Sequence, residues 1–337
     1  MAIEIVATGR YLPARRVTND DLAKTMDTSD EWIRSHTGIG SRHIAADDEA
    51  TSDLAYKAAL DALKSLNPEN PEAEAASLDL IVVATGSPDY YGFPSVACII
   101  QDKLKAENAG AFDIQAACTG FVYALDAASS MLMNGDRKRA LVVGADILTR
   151  ITNWDDRATA VLFGDAAGAV ILERTDAPSR GIGKRGLIRS ILRAQGSGAQ
   201  ELKCARGGTR APFKKGEVID QPIHIYMNGR AVYNFAVKAF TDIMEQLLEA
   251  EGLTMNDIKK VVPHQANERI IQAAAKRMNI PEDKFFMNIE RYANTSGATI
   301  PVALDEYART GDLEKGDIIM MVGFGGGLTY GGCLVVW

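Results

Sequence analysis

Apolar positions recur along this chain in two alternating rhythms, one suited to helices and one to strands. From Thr51 to Leu66, the residues Ala55, Ala59, Ala62, Leu63 and Leu66 fall on one face of a helix, with Thr51 placed as its N-cap. A Pro- and Glu-rich loop follows (residues 67–76), and then LDLIVVATG, an unbroken apolar run suited to a strand buried on both faces. A helix is predicted from near Pro94, a short strand ending at Ala117, a helix from about Cys118 to Met133, and the strand RALVVGA.

The second half repeats this order. A helix spans Gly229 to Glu251, with Ala236, Ala239, Phe240, Ile243 and Leu247 on one face and Gly252 as its stop. IKKVVPH reads as a strand, NERIIQAAAKRM as a helix ended by Asn279 and Pro281, and KFFMNI as a strand. A helix starting near Ser296 and the strand GDIIMMVGF complete the series. Offsetting the halves by roughly 178 residues superposes helix on helix and strand on strand. The pattern predicts a duplicated α/β protein with an N-terminal half at 1–178 and a C-terminal half at 179–337. If the halves pack about a pseudo-twofold axis, the turn at Cys118 and the loop before Ser296 meet at one central site near His264; the alternative is a duplication with no shared site.

Composition narrows the classes. The chain has 337 residues, 47% hydrophobic and 24% charged, with net charge −7, which excludes a disordered chain and allows about two domains. Lysine and arginine are scattered and the balance is acidic, so no nucleic-acid partner is expected. No apolar run approaches the ~20 residues of a membrane span, and the first ten residues lack a basic-then-apolar signal. The expected location is cytoplasmic, with thiols reduced. The four cysteines, at 98, 118, 204 and 333, are too dispersed for a CxxC motif. His36 and His43 flank glycines that oppose a shared helix, so no metal site is expected. GIGKRG (181–186) matches GxGxxG but follows a loop and precedes a strand, the wrong context for a dinucleotide fingerprint.

Chemistry concentrates in three places. Cys118 stands among Ala116, Ala117, Thr119 and Gly120 at the start of an apolar helix, where the helix dipole is expected to lower its pKa. A cysteine among alanines also serves as a small packing residue, a reading that suits Cys98 and Cys333 better; Cys204 lies in a polar loop. His264 ends a buried strand in VVPHQAN, well placed for proton or hydrogen-bond chemistry. Asn294, in YANTSGATIP, can donate to a developing oxyanion or serve as an ordinary turn residue. The run Gly325-Gly326-Gly327 allows the backbone to approach a ligand closely.

Together AACTG, PHQAN, YANTSGATIP, GFGGGLTYG and DEWIRSHTGI resemble the signatures of the β-ketoacyl-acyl-carrier-protein synthase III family, from about Ile3 to Trp337. The resemblance implies the thiolase fold, a duplicated five-layer α-β-α-β-α architecture. It implies that Cys118 takes a short acyl group, usually acetyl, from coenzyme A, and that malonyl-acyl-carrier protein then loses CO₂ and attacks the thioester. His264 and Asn294 would donate to the malonyl thioester carbonyl, the N–H groups of Cys118 and Gly326 would hold the acyl oxyanion, and Phe324 would favour loss of the carboxylate. Trp32 and Arg157 would sandwich the CoA adenine, and Arg269 would contact CoA and the carrier protein at the tunnel mouth. Arg269, Lys276 and Arg277 would form the carrier-protein docking face. Phe93 would close the acyl pocket of a partner subunit, implying a homodimer. CoA enters as a substrate and no cofactor is implied.

Two positions depart from the family pattern, His36 where an arginine is frequent and Asn234 where a lysine is, and both bear on CoA contacts. The segment 196–222 is longer and more polar than usual and is expected near the acyl tunnel, where it would bear on primer choice. Two alternatives stay open: a relative that uses the same cysteine in secondary metabolism, and a non-catalytic thiolase-fold binding subunit.

Overall fold

The computed structural model describes residues 1–179, 183–217 and 223–337. The start of the GIGKRG run and the last five residues of the 196–222 segment lie outside the described residues.

In chain order, the first half runs β1 (Ala2–Tyr11), β2 (Arg15–Thr18), α1 (Asn19–Leu22), α2 (Asp30–Thr37), β3 (Ser41–Ile44), α3 (Thr51–Leu66) and α4 (Pro71–Ala76). It continues with β4 (Leu80–Ala84), α5 (Val96–Lys103), β5 (Gly110–Ile114), α6 (Gly120–Met133), β6 (Arg139–Ile147), α7 (Arg157–Ala160) and β7 (Asp165–Thr175). The second half holds β8 (Gly186–Ala194), the short pair β9 (Leu202–Cys204) and β10 (Ile225–Met227), α8 (Gly229–Glu251), β11 (Ile258–Pro263) and α9 (Glu268–Met278). It ends with α10 (Ile289–Tyr292), α11 (Thr299–Ala308), β12 (Ile318–Gly325) and β13 (Thr329–Val336).

Two sheets carry the architecture. The first has the order β1-β7-β6-β4-β5 and the second β8-β13-β12-β11. In both, the strand pairs that follow helices are parallel and the terminal hairpin is antiparallel. Successive strand residues point to opposite faces, so each apolar run serves two cores. Ile81 and Val83 of β4 face outward onto Leu54, Ala58 and Ala62 of α3. Val82 and Ala84 face inward onto Phe121 and Leu125 of α6 and Ile300 and Leu304 of α11. On the other side, Val261, Met320 and Val322 pack on Phe240, Ile243 and Leu247 of α8 and Ile271 of α9. Helix, sheet, paired central helices, sheet and helix make five layers.

Some expectations fail locally. KFFMNI forms no strand; only the bridge Val261↔Phe285 marks the place where β5 has its counterpart. The buried Gln265 side chain donates to Phe286 O and accepts from the N–H groups of Asn288 and Ile289, taking backbone groups a strand would need. Thr51 is the first residue of α3 rather than its cap: its hydroxyl donates to Ser87 O at 2.6 Å, while Ala50 N–H donates to Asp53. Cys98 is exposed, not packed inside; Cys333 is buried.

The halves are joined by close backbone contact. A Cβ at Gly144 of β6 would stand 2.2 Å from Gly297 O, and one at Gly168 of β7 2.6 Å from Val302 N. Gly144→Ala is expected to destabilise the fold by about 3 kcal/mol, since backbone cannot yield as a side chain does. Its denaturant midpoint should drop with an unchanged slope, and an unmoved midpoint would contradict the close packing.

Candidate active site

The cysteine turn is built from both halves. Residues Ala117–Thr119 form a 3-10 turn that runs into α6 at Gly120, so Cys118 precedes the α-helix proper. Ala117 is held at φ +47°, a left-handed conformation that non-glycine residues seldom adopt. The turn presses on β12 of the other half: a Cβ at Gly325 would lie 2.6 Å from Cys118 N, which only glycine tolerates. The second half mirrors this, with a 3-10 turn at Ser296–Ala298 feeding α11 and Ser296 held at φ +52°. Non-glycine residues in such conformations cluster where surrounding structure enforces them.

A cavity of about 480 Å³ opens over this seam, and Cys118, His264, Asn294, Phe324 and Gly326 all line it. His264 follows β11, its backbone N–H donating to Val322 O at 2.7 Å, and its ring meets Phe324 edge-on at 5.1 Å between centroids. Its Nδ1 is occluded without a partner. Stranding an N–H costs more than leaving a lone pair unpaired, which favours the proton on Nε2. Asn294 is pinned at both backbone ends, N–H to Leu162 O and carbonyl from Gly164 N–H, each at 3.0 Å. Its Oδ1 accepts from Ser296 N–H at 2.9 Å, which leaves the amide nitrogen as the free donor.

The electrostatics reverse one expectation. Burial pushes the Cys118 thiol up to about 12; the nearby Ser296 hydroxyl opposes this, and the charge of Asp146 adds to it. Burial and the nearby carboxylate thus act against the lowering expected from the helix, although the residue is half-buried and borders the cavity. Burial lowers His264 to about 3, so the imidazole is neutral at physiological pH.

The rim residues lie apart from this centre. Trp32 sits on α2, where the Arg157 guanidinium rests 4.6 Å from its ring centroid and the His36 ring stacks on it at 4.4 Å. Arg157 thus contacts Trp32 directly, and an adenine inserted between them would have to part the pair. Asn267 donates to His36 O at 3.0 Å, tying α2 to the start of α9 and so setting Arg269 beside Trp32's helix. Arg269, Lys276 and Arg277 are exposed along α9, and none forms an ion pair among the described residues. Asn234 is exposed on α8. Phe93 is 90% exposed and lies outside this chain's own cavity. Of the 196–222 segment, Ala199, Leu202, Lys203 and Cys204 line the cavity, so Cys204 borders the site rather than a remote loop.

Three residues escaped the sequence reading: Gln265, Ser296 and Asp146. Asp146 left a signal, a lone carboxylate inside the apolar strand RALVVGADI. It is wholly buried at the seam. Among the described residues no group of three or more His, Cys, Asp or Glu is arranged to hold a metal ion.

Known proteins share this sequence pattern and fold. The 3-Oxoacyl-[acyl-carrier-protein (ACP)] synthase III family matches residues 112–189, and its C-terminal family matches residues 248–337. The β-ketoacyl-[acyl-carrier-protein] synthase III of Clostridium acetobutylicum is 48% identical, covering 100% of this chain and 99% of that protein. Two crystal structures of synthase III superpose over nearly whole chains. That from Aquifex aeolicus VF5 gives a TM-score of 0.89 at 41% identity, covering 100% of both chains. That from Thermus thermophilus gives 0.87 at 40%, covering 99% of both. The chain therefore belongs to the β-ketoacyl-acyl-carrier-protein synthase III family, condensing acyltransferases on the thiolase fold.

Proposed function

We propose that this protein condenses a short acyl-CoA primer, acetyl-CoA foremost, with malonyl-acyl-carrier protein, giving a 3-ketoacyl-acyl-carrier protein and opening fatty-acid synthesis. The observation that carries the reading is the convergence, in one cavity, of a thiol, a neutral imidazole and an amide whose nitrogen is left free to donate. Cys118 takes the acyl group as a thioester and CoA departs. His264 Nε2 and Asn294 Nδ2 then donate to the malonyl thioester carbonyl as CO₂ leaves and enolate charge develops. The Phe324 ring beside His264 disfavours the malonyl carboxylate and so favours its loss. The N–H groups of Cys118 and Gly326 receive the oxyanion when the carbanion attacks the thioester. Simple acyl transfer develops no enolate, so the imidazole and amide argue for condensation over transfer.

In this reading the halves 1–178 and 179–337 act as one unit, the first giving Cys118 and the second His264 and Asn294. Trp32 and Arg157 part to take the adenine, with Arg269 at the same rim. The exposed Phe93 closes the acyl pocket of a second copy in a homodimer. In this reading the nucleophilic thiol works in a reducing compartment, the cytoplasm. No helix among the described residues is long and apolar enough to cross a membrane.

Mass spectrometry of the Cys118 peptide after incubation with a panel of acyl-CoAs tests the reading. An acyl adduct on Cys118 is expected, and its size gives the primer class; no adduct with any primer would overturn the assignment. The basic face of α9 is tested separately. Lys276→Glu should weaken carrier-protein binding on the order of tenfold at low salt, with the difference shrinking as salt rises. Equal affinity at low salt would remove α9 as the docking face.

A further inference from the structure

The two sides of the adenine slot sit on separate elements, and one buried side chain joins them. Trp32 is the third residue of α2 and Arg157 the first of α7. Arg42, on β3, is wholly buried and forms no ion pair among the described residues. Burial brings its guanidinium down to about 10, so it stays charged at pH 7. An enclosed charge without a carboxylate partner is costly and persists only where hydrogen bonds hold it. Those bonds run to both sides of the slot. Nη2 donates to Val161 O at 2.9 Å, the carbonyl that closes α7 one turn after Arg157. Nη1 donates to Asn19 Oδ1 at 2.9 Å and lies 3.5 Å from Val17 O in its own hairpin. Asn19 passes the contact on. Its Nδ2 donates to Asp30 Oδ1 at 2.9 Å and to Ile39 O at 2.7 Å, gripping α2 at its first residue and just beyond its Gly38 stop.

We propose that Arg42 is a positioning residue for CoA binding: through Val161 on one side and Asn19 on the other, it fixes the spacing of α7 and α2 that lets Trp32 and Arg157 take the adenine between them. This rests on the adenine reading above. At rest the Arg157 guanidinium lies 4.6 Å from the Trp32 ring centroid, too close to admit a third plane. The Arg157 side chain is nearly half exposed and is held at the rim by one hydrogen bond, to Asp27 O at 2.8 Å, so it is free to swing aside. The backbones of α2 and α7 are not free to drift, because the planar fork of Arg42 and the Asn19 amide span them. The slot then opens by rotation of one side chain instead of displacement of two helices, which lowers the ordering cost of binding. A lysine ammonium carries the same charge as a point donor and cannot reach both acceptors at once.

The test measures initial rates of Cys118 acylation by acetyl-CoA and by acetyl-pantetheine, which has the same thioester and no adenine. It compares wild type, Arg42→Met, Arg42→Lys, Trp32→Ala and the Trp32→Ala/Arg42→Met pair. Arg42→Met should raise the half-saturating acetyl-CoA concentration roughly tenfold, the scale of one lost cation–π contact, and change the maximal rate by less than about twofold. Its half-saturation with acetyl-pantetheine should stay at the wild-type value. On the Trp32→Ala background the same substitution should add little, because the slot is already broken. Arg42→Lys should shift acetyl-CoA in the same direction, and it decides alone if Arg42→Met does not fold. Weakened acetyl-CoA use by Trp32→Ala, with wild-type use by the Arg42 variants, overturns the proposal and leaves the adenine reading standing. Equal losses with both thioesters, or an additive loss in the pair, reduce Arg42 to a support of the fold and also overturn the proposal. Wild-type half-saturation by acetyl-CoA in Trp32→Ala overturns the adenine reading, and the proposal with it.

Discussion

Cys118→Ala is expected to abolish covalent acyl uptake while leaving slow decarboxylation of malonyl-acyl-carrier protein. The two halves of that result have separate causes. The thioester forms on Sγ, and no other thiol replaces it: Cys204 lines the same cavity but lies on β9, away from the turn that faces Gly325 and Ser296. The donors for the enolate remain, because Asn294 is held by Leu162, Gly164 and Ser296 and His264 by Val322, none of which involves the cysteine side chain. The substitution is mild for the fold, since the strained conformation is at Ala117 and the side chain at 118 borders a cavity that is already open. Labelled acyl-CoA followed by peptide mapping measures the first half, and CO₂ release from the malonyl thioester measures the second. Label retained on the variant would mean that the nucleophile is elsewhere.

The architecture was legible where a period was long and its ends were marked. The helix Gly229–Glu251 and its left-handed stop at Gly252, and the two-faced strand at Leu80–Ala84, are physical consequences of local pattern. KFFMNI had a strand's composition, but the competing hydrogen bonds come from Gln265, about twenty residues away in sequence, and no local pattern shows them. The site was legible as residue types at element ends: Cys118, His264 and Asn294 do meet. Its electrostatics were not. The expected lowering of the Cys118 pKa considered only the helix that follows, whereas burial raises it first and Asp146, on a strand 28 residues downstream (146 − 118), adds to the rise. Ser296 read only as the start of a helix, because the cavity it lines with Cys118 is completed by the other half.

His264→Ala should give the reverse of the cysteine variant: normal acyl loading and a condensation rate reduced by roughly 10²–10³-fold, the effect of removing one oxyanion donor. Loading survives because the imidazole has no part in holding the thiol. The residual rate comes from Asn294, and the loss appears in the decarboxylation step as well. Burial sets the pH behaviour. The imidazole titrates near 3 in the folded protein against an ordinary 6.5, so between pH 5 and 8 it stays neutral and condensation should show no His264 protonation limb. The same shift bears on stability. Between pH 6.5 and about 3 the unfolded chain binds a proton at this position that the folded chain refuses, so stability is full above 6.5 and falls as the solution is acidified. Urea midpoints across that window should fall more steeply for wild type than for His264→Ala. Parallel slopes, or a wild-type rate that drops with a midpoint near 6.5, would mean that the ring is solvated and charged at work, and the enolate would then be stabilised by an imidazolium instead of a neutral donor.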